Sequence, residues 1–197
     1  MFNRAMAGMR KIFVTEFVSL DGVMEDPGGA EKFVHGGWTM PYWNDEIGKF
    51  KFDELRASDA LLLGRVTYQG FAAAWPSRTD EEGFAQRMNS LPKYVVSTTL
   101  DKAEWTNSHL IKGEISKEVF KLKQQPGQDI MVAGSNKLVQ TLMQHDLVDE
   151  YRLLVYPVVL GSGKRLFGDA SKVTLKPVET RMFSSGVVLL RYQPARK

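Results

Sequence analysis

Short apolar blocks along this chain alternate with stretches in which apolar residues recur at every third or fourth position, and Gly, Pro, Asn and Asp stand at the junctions. That pattern predicts strands joined by helices. "KIFVTEFVSL" (11–20), rich in Val, Phe and Thr, reads as the first strand and closes on the turn pair Asp21-Gly22. Residues 1–9 precede it as a loose extension, so the folded unit is read as 10–197. From Asp26 to Pro41 the chain is rich in Gly and Pro around Trp38, too aromatic for a linker and too irregular for a helix or strand; it reads as a functional loop. Asn44 then caps a predicted helix to about Ser58, with Asp45 and Glu46 in its first turn and Ile47, Phe50 and Leu55 on one face.

Two strand–helix pairs follow the same plan. "DALLLG" (59–64) is a strand ending on Gly64, and "RVTYQGFAAAW" (65–75) is a helix stopped by Pro76. "DIMVAGS" (129–135) is a strand ending on Gly134, and "NKLVQTLMQHDL" (136–147) is a helix with Leu138, Val139, Leu142 and Met143 on one face. Between them lie strands at "KYVVSTT" (93–99) and "SHLIKG" (108–113) and a helix at "SKEVFKLKQQPG" (116–127). The tail changes character: "DEYRLLVYPVVLG", "KVTLKPVET" and "GVVLLRYQP" are strands with no helix between them. The fold class is therefore α/β, a mainly parallel central sheet flanked by helices on both faces, with antiparallel C-terminal strands.

Composition narrows the function classes. The 197 residues, 43% hydrophobic, suffice for one sizeable core. Charge is nearly balanced, 26 basic against 23 acidic residues, with no basic block to track nucleic acid or an anionic membrane. The absence of cysteine excludes disulfides, thiolate catalysis and cysteine-ligated metals. The longest apolar run, "LLVYPVVL" (153–160), falls far short of the ~20 residues that cross a bilayer. No export signal is visible in "MFNRAMAGMR". A cytoplasmic protein with neither a nucleic-acid nor a membrane partner is expected.

In "LLLG-RVT" and "MVAG-SNK" a buried strand ends on Gly and a polar helix start follows. Gly permits a tight turn and close ligand approach, while free N–H groups and the positive helix end attract phosphate. Two such ends can grip one diphosphate, with Arg65 as a charged fork and Thr67 as a hydroxyl donor. The same features also occur as ordinary structure in parallel α/β proteins, and G-x-G-x-x-G is absent. "VVLGSGKRLF" is no phosphate loop, since Val158 and Arg165 stand where Gly and Ser or Thr are required; it reads as a glycine turn. Candidate proton donors are Asp21, Asp45 and Glu46, each of which also has an ordinary turn or helix-start role. The scattered His35, His109 and His145 form no metal-ligand spacing. Ser97, Thr98 and Thr99 could meet a phosphate or satisfy a turn. Trp38, Tyr42 and Trp43 could stack on a flat heterocycle or form the small core of the loop.

Taken in order, "SLDG" (19–22), "GGW" (36–38), "LLLGRVTY" (61–68), "YVVSTT" (94–99), "VAGS" (132–135), "HDLVDEY" (145–151) and "PVVLGSGKRLF" (157–167) resemble the dihydrofolate reductase-like superfamily. The similarity is to the branch related to the C-terminal reductase domain of bifunctional riboflavin-biosynthesis deaminase/reductase proteins. It covers almost all of residues 10–192. It implies cofactor phosphates held by Gly64, Arg65 and Thr67, an adenosine side at Ser97 and Thr98, and a second helix start at Ala133, Gly134, Ser135 and Asn136. The implied cofactor is NADPH in preference to NADH. Thr98 and the Ala133-Gly134 pair depart from the Arg and Gly-Gly common in dihydrofolate reductase. Matching "MPYWNDEIGKF" places Glu46 nearest the catalytic carboxylate, with Asp45 one residue off; the riboflavin-type reductases point instead to Asp21. Leu20, Trp38 and Tyr42 are the implied substrate contacts.

The resulting expectation is an oxidoreductase moving a hydride from NADPH to a pterin, pyrimidine or similar heterocycle, like the 5-amino-6-(5-phosphoribosylamino)uracil reductases of riboflavin biosynthesis. The alternative is a non-catalytic nucleotide-binding or interaction module on the same fold. A homodimer built on the C-terminal strands is expected from the apolar density of "YRLLVYPVVL" and "SGVVLL" and from the dimers of related reductases.

Overall fold

The computed structural model describes residues 8–168 and 172–195. Most of the predicted 1–9 extension lies outside them. Within them Arg10 is already part of the fold, its guanidinium paired with Asp59 and its Nε donating to the Gln128 carbonyl at 2.8 Å.

The strands are β1 (Ile12–Ser19), β2 (Ser58–Gly64), β3 (Lys93–Val96), β4 (Ser108–Ile111), β5 (Asp129–Val132), β6 (Glu150–Tyr156), β7 (Leu175–Met182) and β8 (Val188–Pro194). The helices are α1 (Asp45–Arg56), α2 (Arg65–Ala74), α3 (Phe84–Ser90), α4 (Ile115–Gln124) and α5 (Asn136–Gln144), with a short 3-10 turn at Met40–Tyr42. One eight-stranded sheet runs in the order β4-β3-β2-β5-β1-β6-β8-β7, parallel through β6 and antiparallel for β8 and β7. The fold is α/β, a mainly parallel sheet with antiparallel C-terminal strands, as the order of elements predicts.

Strand periodicity sorts side chains between two cores. Ile12, Val14 and Val18 of β1 join Leu138, Val139 and Leu142 of α5 and Val119 and Leu122 of α4 on one face. Phe13 joins Leu55 of α1, Tyr68 of α2 and Met88 of α3 on the other. Each such apolar side chain, taken fully out of water, contributes about 1.5–3 kcal/mol. Asn44 caps α1 as its sequence predicts, its Oδ1 accepting from the Ile47 N–H at 3.0 Å.

Helix α3 and the 3-10 turn have no counterpart in the sequence reading. Helix α3 is seven residues long and starts at Gly83 in the left-handed region (φ 86°), and its first N–H groups are taken by Asp80 from three residues upstream. The apolar density of "YRLLVYPVVL" and "SGVVLL" goes into β6 and β8, which lie inside the sheet: Leu154, Tyr156 and Leu189 are each 0% exposed. The free edge is β7, which carries Lys176, Pro177, Glu179 and Arg181 and a register shift at Pro177, features that oppose edge pairing. Burial within the chain's own sheet therefore accounts for that apolar density. No helix among the described residues is long and apolar enough to cross a membrane.

Candidate functional site

The site follows from connectivity. From β2 the chain passes through α2 and α3 to β3 on one side; from β5 it passes through α5 to β6, beyond β1, on the other. Helices α2 and α5 also lie on opposite faces of the sheet. The C-terminal ends of the neighbouring strands β2 and β5 thus border a topological switch point, where open α/β sheets bind ligands. Register places the two glycine-ended strands side by side, Leu62 opposite Val132.

At that crevice the Gly64 N–H donates to the Gly134 carbonyl at 3.1 Å. A Cβ on Gly64 would run into the Ser135 hydroxyl and stand 3.0 Å from its backbone N; one on Gly134 (φ 90°) would stand 2.6 Å from Thr67 Oγ1. Mutual approach of the two turns therefore demands both glycines. Neither Gly64 nor Ser135 gives its helix a side-chain cap, so the first-turn N–H groups of α2 and α5 are left for other acceptors. Arg65 is exposed on the first turn of α2, reaching Gln69 Oε1 at 3.1 Å. Asn136 donates to the Arg165 carbonyl and ties α5 to the 157–167 loop. The structure thus brings together Gly64, Arg65, Thr67, Ala133, Gly134, Ser135 and Asn136. This donor set fits a dinucleotide diphosphate: two uncapped helix starts, one exposed guanidinium and one hydroxyl. Thr98, exposed, follows β3 on the strand next to β2. Ser97 is buried, and its Oγ accepts the N–H groups of Thr99 and Leu100 at 3.2 and 2.9 Å, so its hydroxyl closes a turn.

The carboxylates differ from expectation. Glu46 and Asp45 are exposed at the start of α1. Both Glu46 and Asn44 are bonded to Ser184, in the β7–β8 turn, which β1 and β6 separate from the β2–β5 crevice along the sheet. The Ser184 N–H, then its hydroxyl, hold Glu46 below the usual carboxylate range. A proton donor there needed burial to prevail over hydrogen bonding, and the reverse is found. Asp21 accepts from the Ser19 hydroxyl at 2.7 Å and from the N–H groups of Leu160 and Gly161 at 3.1 and 2.9 Å, which bring its pKa to about 2. Its carboxylate pins the glycine turn of the 157–167 loop to the end of β1. Because its folded pKa lies below the ordinary 3.8, that stabilisation is present above pH 3.8 and is lost as pH falls through about 2.

The aromatic residues form a small core. Trp38 is 6% exposed, donates through Nε1 to the Glu25 carbonyl at 2.8 Å, and meets Tyr156 edge-on at 5.3 Å; Tyr42 meets the same ring at 5.9 Å. The ring of Trp38 is therefore covered by the chain itself and offers no open stacking face, while Trp43 (50%) and Leu20 (67%) are exposed. Asp26, buried with φ 47°, holds the irregular loop by accepting the N–H groups of Glu31 and Phe33.

Two proton-bearing groups escaped the sequence reading. Glu16 of β1 is 8% exposed, and burial raises its pKa to about 8 against the pull of Lys51 and of the Gly134 N–H. Tyr156 is fully buried with a hydroxyl that has no partner, and burial raises its pKa as well. The signal for Glu16 was present: it is the one acid in the alternating series Ile12, Val14, Glu16, Val18 on a buried strand face. A shallow concavity of about 480 Å³ lies elsewhere, between Tyr68, Ala72 and Trp105 behind α2. It holds none of these groups.

Residues 10–189 match the model of the RibD C-terminal domain. The chain is 36% identical over 187 residues to an uncharacterised protein, YyaP, of Bacillus subtilis (strain 168), covering 93% of this chain and 94% of that one. Among solved structures it is similar to a candidate riboflavin biosynthesis protein from Shewanella sp. PV-4, with a TM-score of 0.75, 21% identity, and 94% and 99% of the two chains covered. It is also similar to dihydrofolate reductase from Enterococcus faecalis complexed with NADP(H) and RAB-propyl, with a TM-score of 0.61, 13% identity, and 94% and 97% covered. Architecture, paired glycine turns and sequence agree, and the chain belongs to the RibD C-terminal domain family.

Proposed function

We propose that the protein is an NADPH-dependent reductase that transfers a hydride to a C=N or C=O bond of a flat heterocycle of the pterin or pyrimidine kind. The observation that carries this reading is the pair of uncapped helix starts, α2 and α5, brought together by Gly64 and Gly134 at the switch point, with Arg65 and Thr67 on the first turn. The family and the dinucleotide-binding neighbour support it. When bound, the cofactor supplies the hydride from C4 of its nicotinamide. The chain's part is to bind and orient: Arg65 and Thr67 with the first-turn N–H groups on the diphosphate, and Asp21, ionised, fixing the 160–161 turn beside the end of β1.

Arg65→Ala is the direct test. Loss of one charge-assisted contact should weaken NADPH binding by about 1.5–3 kcal/mol, roughly 10- to 150-fold in Kd, with unfolding unchanged because the side chain is exposed. An unchanged Kd in a fluorescence titration rejects the assignment. NADPH binding without its oxidation by any pterin or pyrimidine favours the non-catalytic reading.

Neither Glu46 nor Asp21 is protonated near neutral pH. Glu46→Gln keeps an oxygen for Ser184 and is expected to leave turnover within about threefold of wild type, whereas loss of a general acid costs ~10²–10⁴-fold. A drop of that size in steady-state kcat would return the proton-donor role to Glu46.

A further inference from the structure

Beneath the second glycine turn lies a group that the phosphate contacts do not use. Glu16 projects from β1 toward the α5 face, where Val14, Val18, Leu153 and Leu138 form a continuous apolar surface. Its backbone neighbour on β6 is Leu153, and the Gly134 backbone is the weakest of the three influences on its carboxyl. The charge that bears on it comes from Lys51 of α1, whose ammonium is held by Thr15 at 2.6 Å and Glu54 at 2.7 Å. The other carboxyl oxygen, Oε1, is buried with no hydrogen-bond partner. An oxygen left so costs about 1–3 kcal/mol, and most buried polar groups avoid it. The parallel register of β1 with β5, Val14 opposite Val132, carries Glu16 level with the Gly134 turn that approaches Gly64 and Thr67.

We propose that Glu16 is a cofactor-binding acid: in its neutral form its unpartnered oxygen donates a hydrogen bond to the dinucleotide bound at the neighbouring Gly134 turn. This inference rests on the reductase reading above and adds a residue and a protonation requirement to it. Chemistry favours the neutral form. A carboxylate beside the diphosphate would repel it in an apolar surrounding, whereas a carboxylic acid supplies the donor that a polyanionic ligand needs. The geometry and the raised pKa of about 8 agree. Bound NADPH should then raise that pKa further.

The experiment is a set of NADPH fluorescence titrations from pH 6 to pH 9 on the wild type, Glu16→Gln and Glu16→Leu, each checked for its melting temperature. If only the neutral acid binds, the wild-type Kd is flat below pH 7 and rises about tenfold by pH 9, following the ionised fraction of a group with a pKa of about 8. Glu16→Gln, a neutral donor of the same shape, should keep the low-pH affinity and flatten the profile. Glu16→Leu should bind at least tenfold more weakly than the wild type below pH 7, with no pH dependence of its own. The ligand-free chain gives an independent readout. The folded pKa lies above the unfolded 4.5, so wild-type stability relative to Glu16→Gln is greatest below pH 4.5 and is lost as pH rises through about 8. A wild-type profile shared by Glu16→Gln, or wild-type affinity in Glu16→Leu, overturns the inference while leaving the reductase reading intact. Absence of NADPH binding by the wild type at any pH overturns that reading and the inference with it.

Discussion

Gly134→Ala is expected to destabilise the protein by about 2–4 kcal/mol and to weaken NADPH binding at least tenfold, whereas Gly70→Ala, six residues into α2, should stabilise it by about 0.5–1 kcal/mol. The two positions differ in what surrounds them. At Gly134 the backbone sits at φ 90°, and placing a Cβ at positive φ costs about 1–2 kcal/mol by itself. The added methyl would also stand 2.6 Å from Thr67 Oγ1, so that hydroxyl must move. At Gly70 nothing lies within 4 Å, and the residue occupies an exposed helix interior where Ala loses less conformational entropy than Gly. Urea unfolding reads both stability changes, and fluorescence titration reads the loss of affinity. Wild-type stability in Gly134→Ala would show that the two turns do not depend on their close approach.

That close approach explains which parts of the site were legible in the sequence. "LLLGRVT" and "MVAGSNK" each carry a complete local statement: a buried strand, a glycine and a polar helix start. Local chemistry suggested the pairing and the family resemblance strengthened it, and the register of β2 with β5 does bring them together. The sheet was legible for a similar reason, since strand and helix periodicities are properties of contiguous residues. The carboxylates were not. The state of Glu46 is decided by Ser184, and that of Asp21 partly by Leu160 and Gly161, all more than a hundred residues away in the chain. Trp38 looked like an available ring because its cover, Tyr156, is equally remote. Helix α3 was invisible because its cap comes from Asp80 across a glycine, outside the spacing by which a cap is ordinarily recognised. Glu16 stood out only by its parity on β1; the strand had to be placed beside β5 before it came level with the Gly134 turn.

The same contrast between exposed and buried carboxylates governs the prediction for Glu54. This residue of α1 is 3% exposed and faces β1, where its Oε2 accepts from Thr15 Oγ1 at 2.8 Å and from Lys51 Nζ at 2.7 Å. Its Oε1 lies 3.5 Å from the Arg152 guanidinium, a Coulombic contact without hydrogen-bond geometry. Arg152 in turn rests over the Phe13 ring at 3.8 Å and bonds Glu150 at 2.6 Å. Glu54→Leu would leave Lys51 buried against β1 with no counter-charge, and breaking a buried pair from one side costs about 3–5 kcal/mol. Lys49→Ala, which removes an exposed pair with Asp53 on the same helix, should change stability by no more than about 0.5 kcal/mol. The double variant Lys51→Met/Glu54→Leu should recover part of the loss, because it removes the stranded charge as well as its partner. The effect should also reach the site, since Lys51 lies 5.4 Å from the Phe17 ring, which packs edge-on against Trp43 and Tyr156. On the reductase reading proposed above, loosening α1 there is expected to raise KM for a heterocyclic substrate. Equal destabilisation by the single and double variants in urea unfolding would show that packing volume, and not the buried charge, fixes α1 against β1.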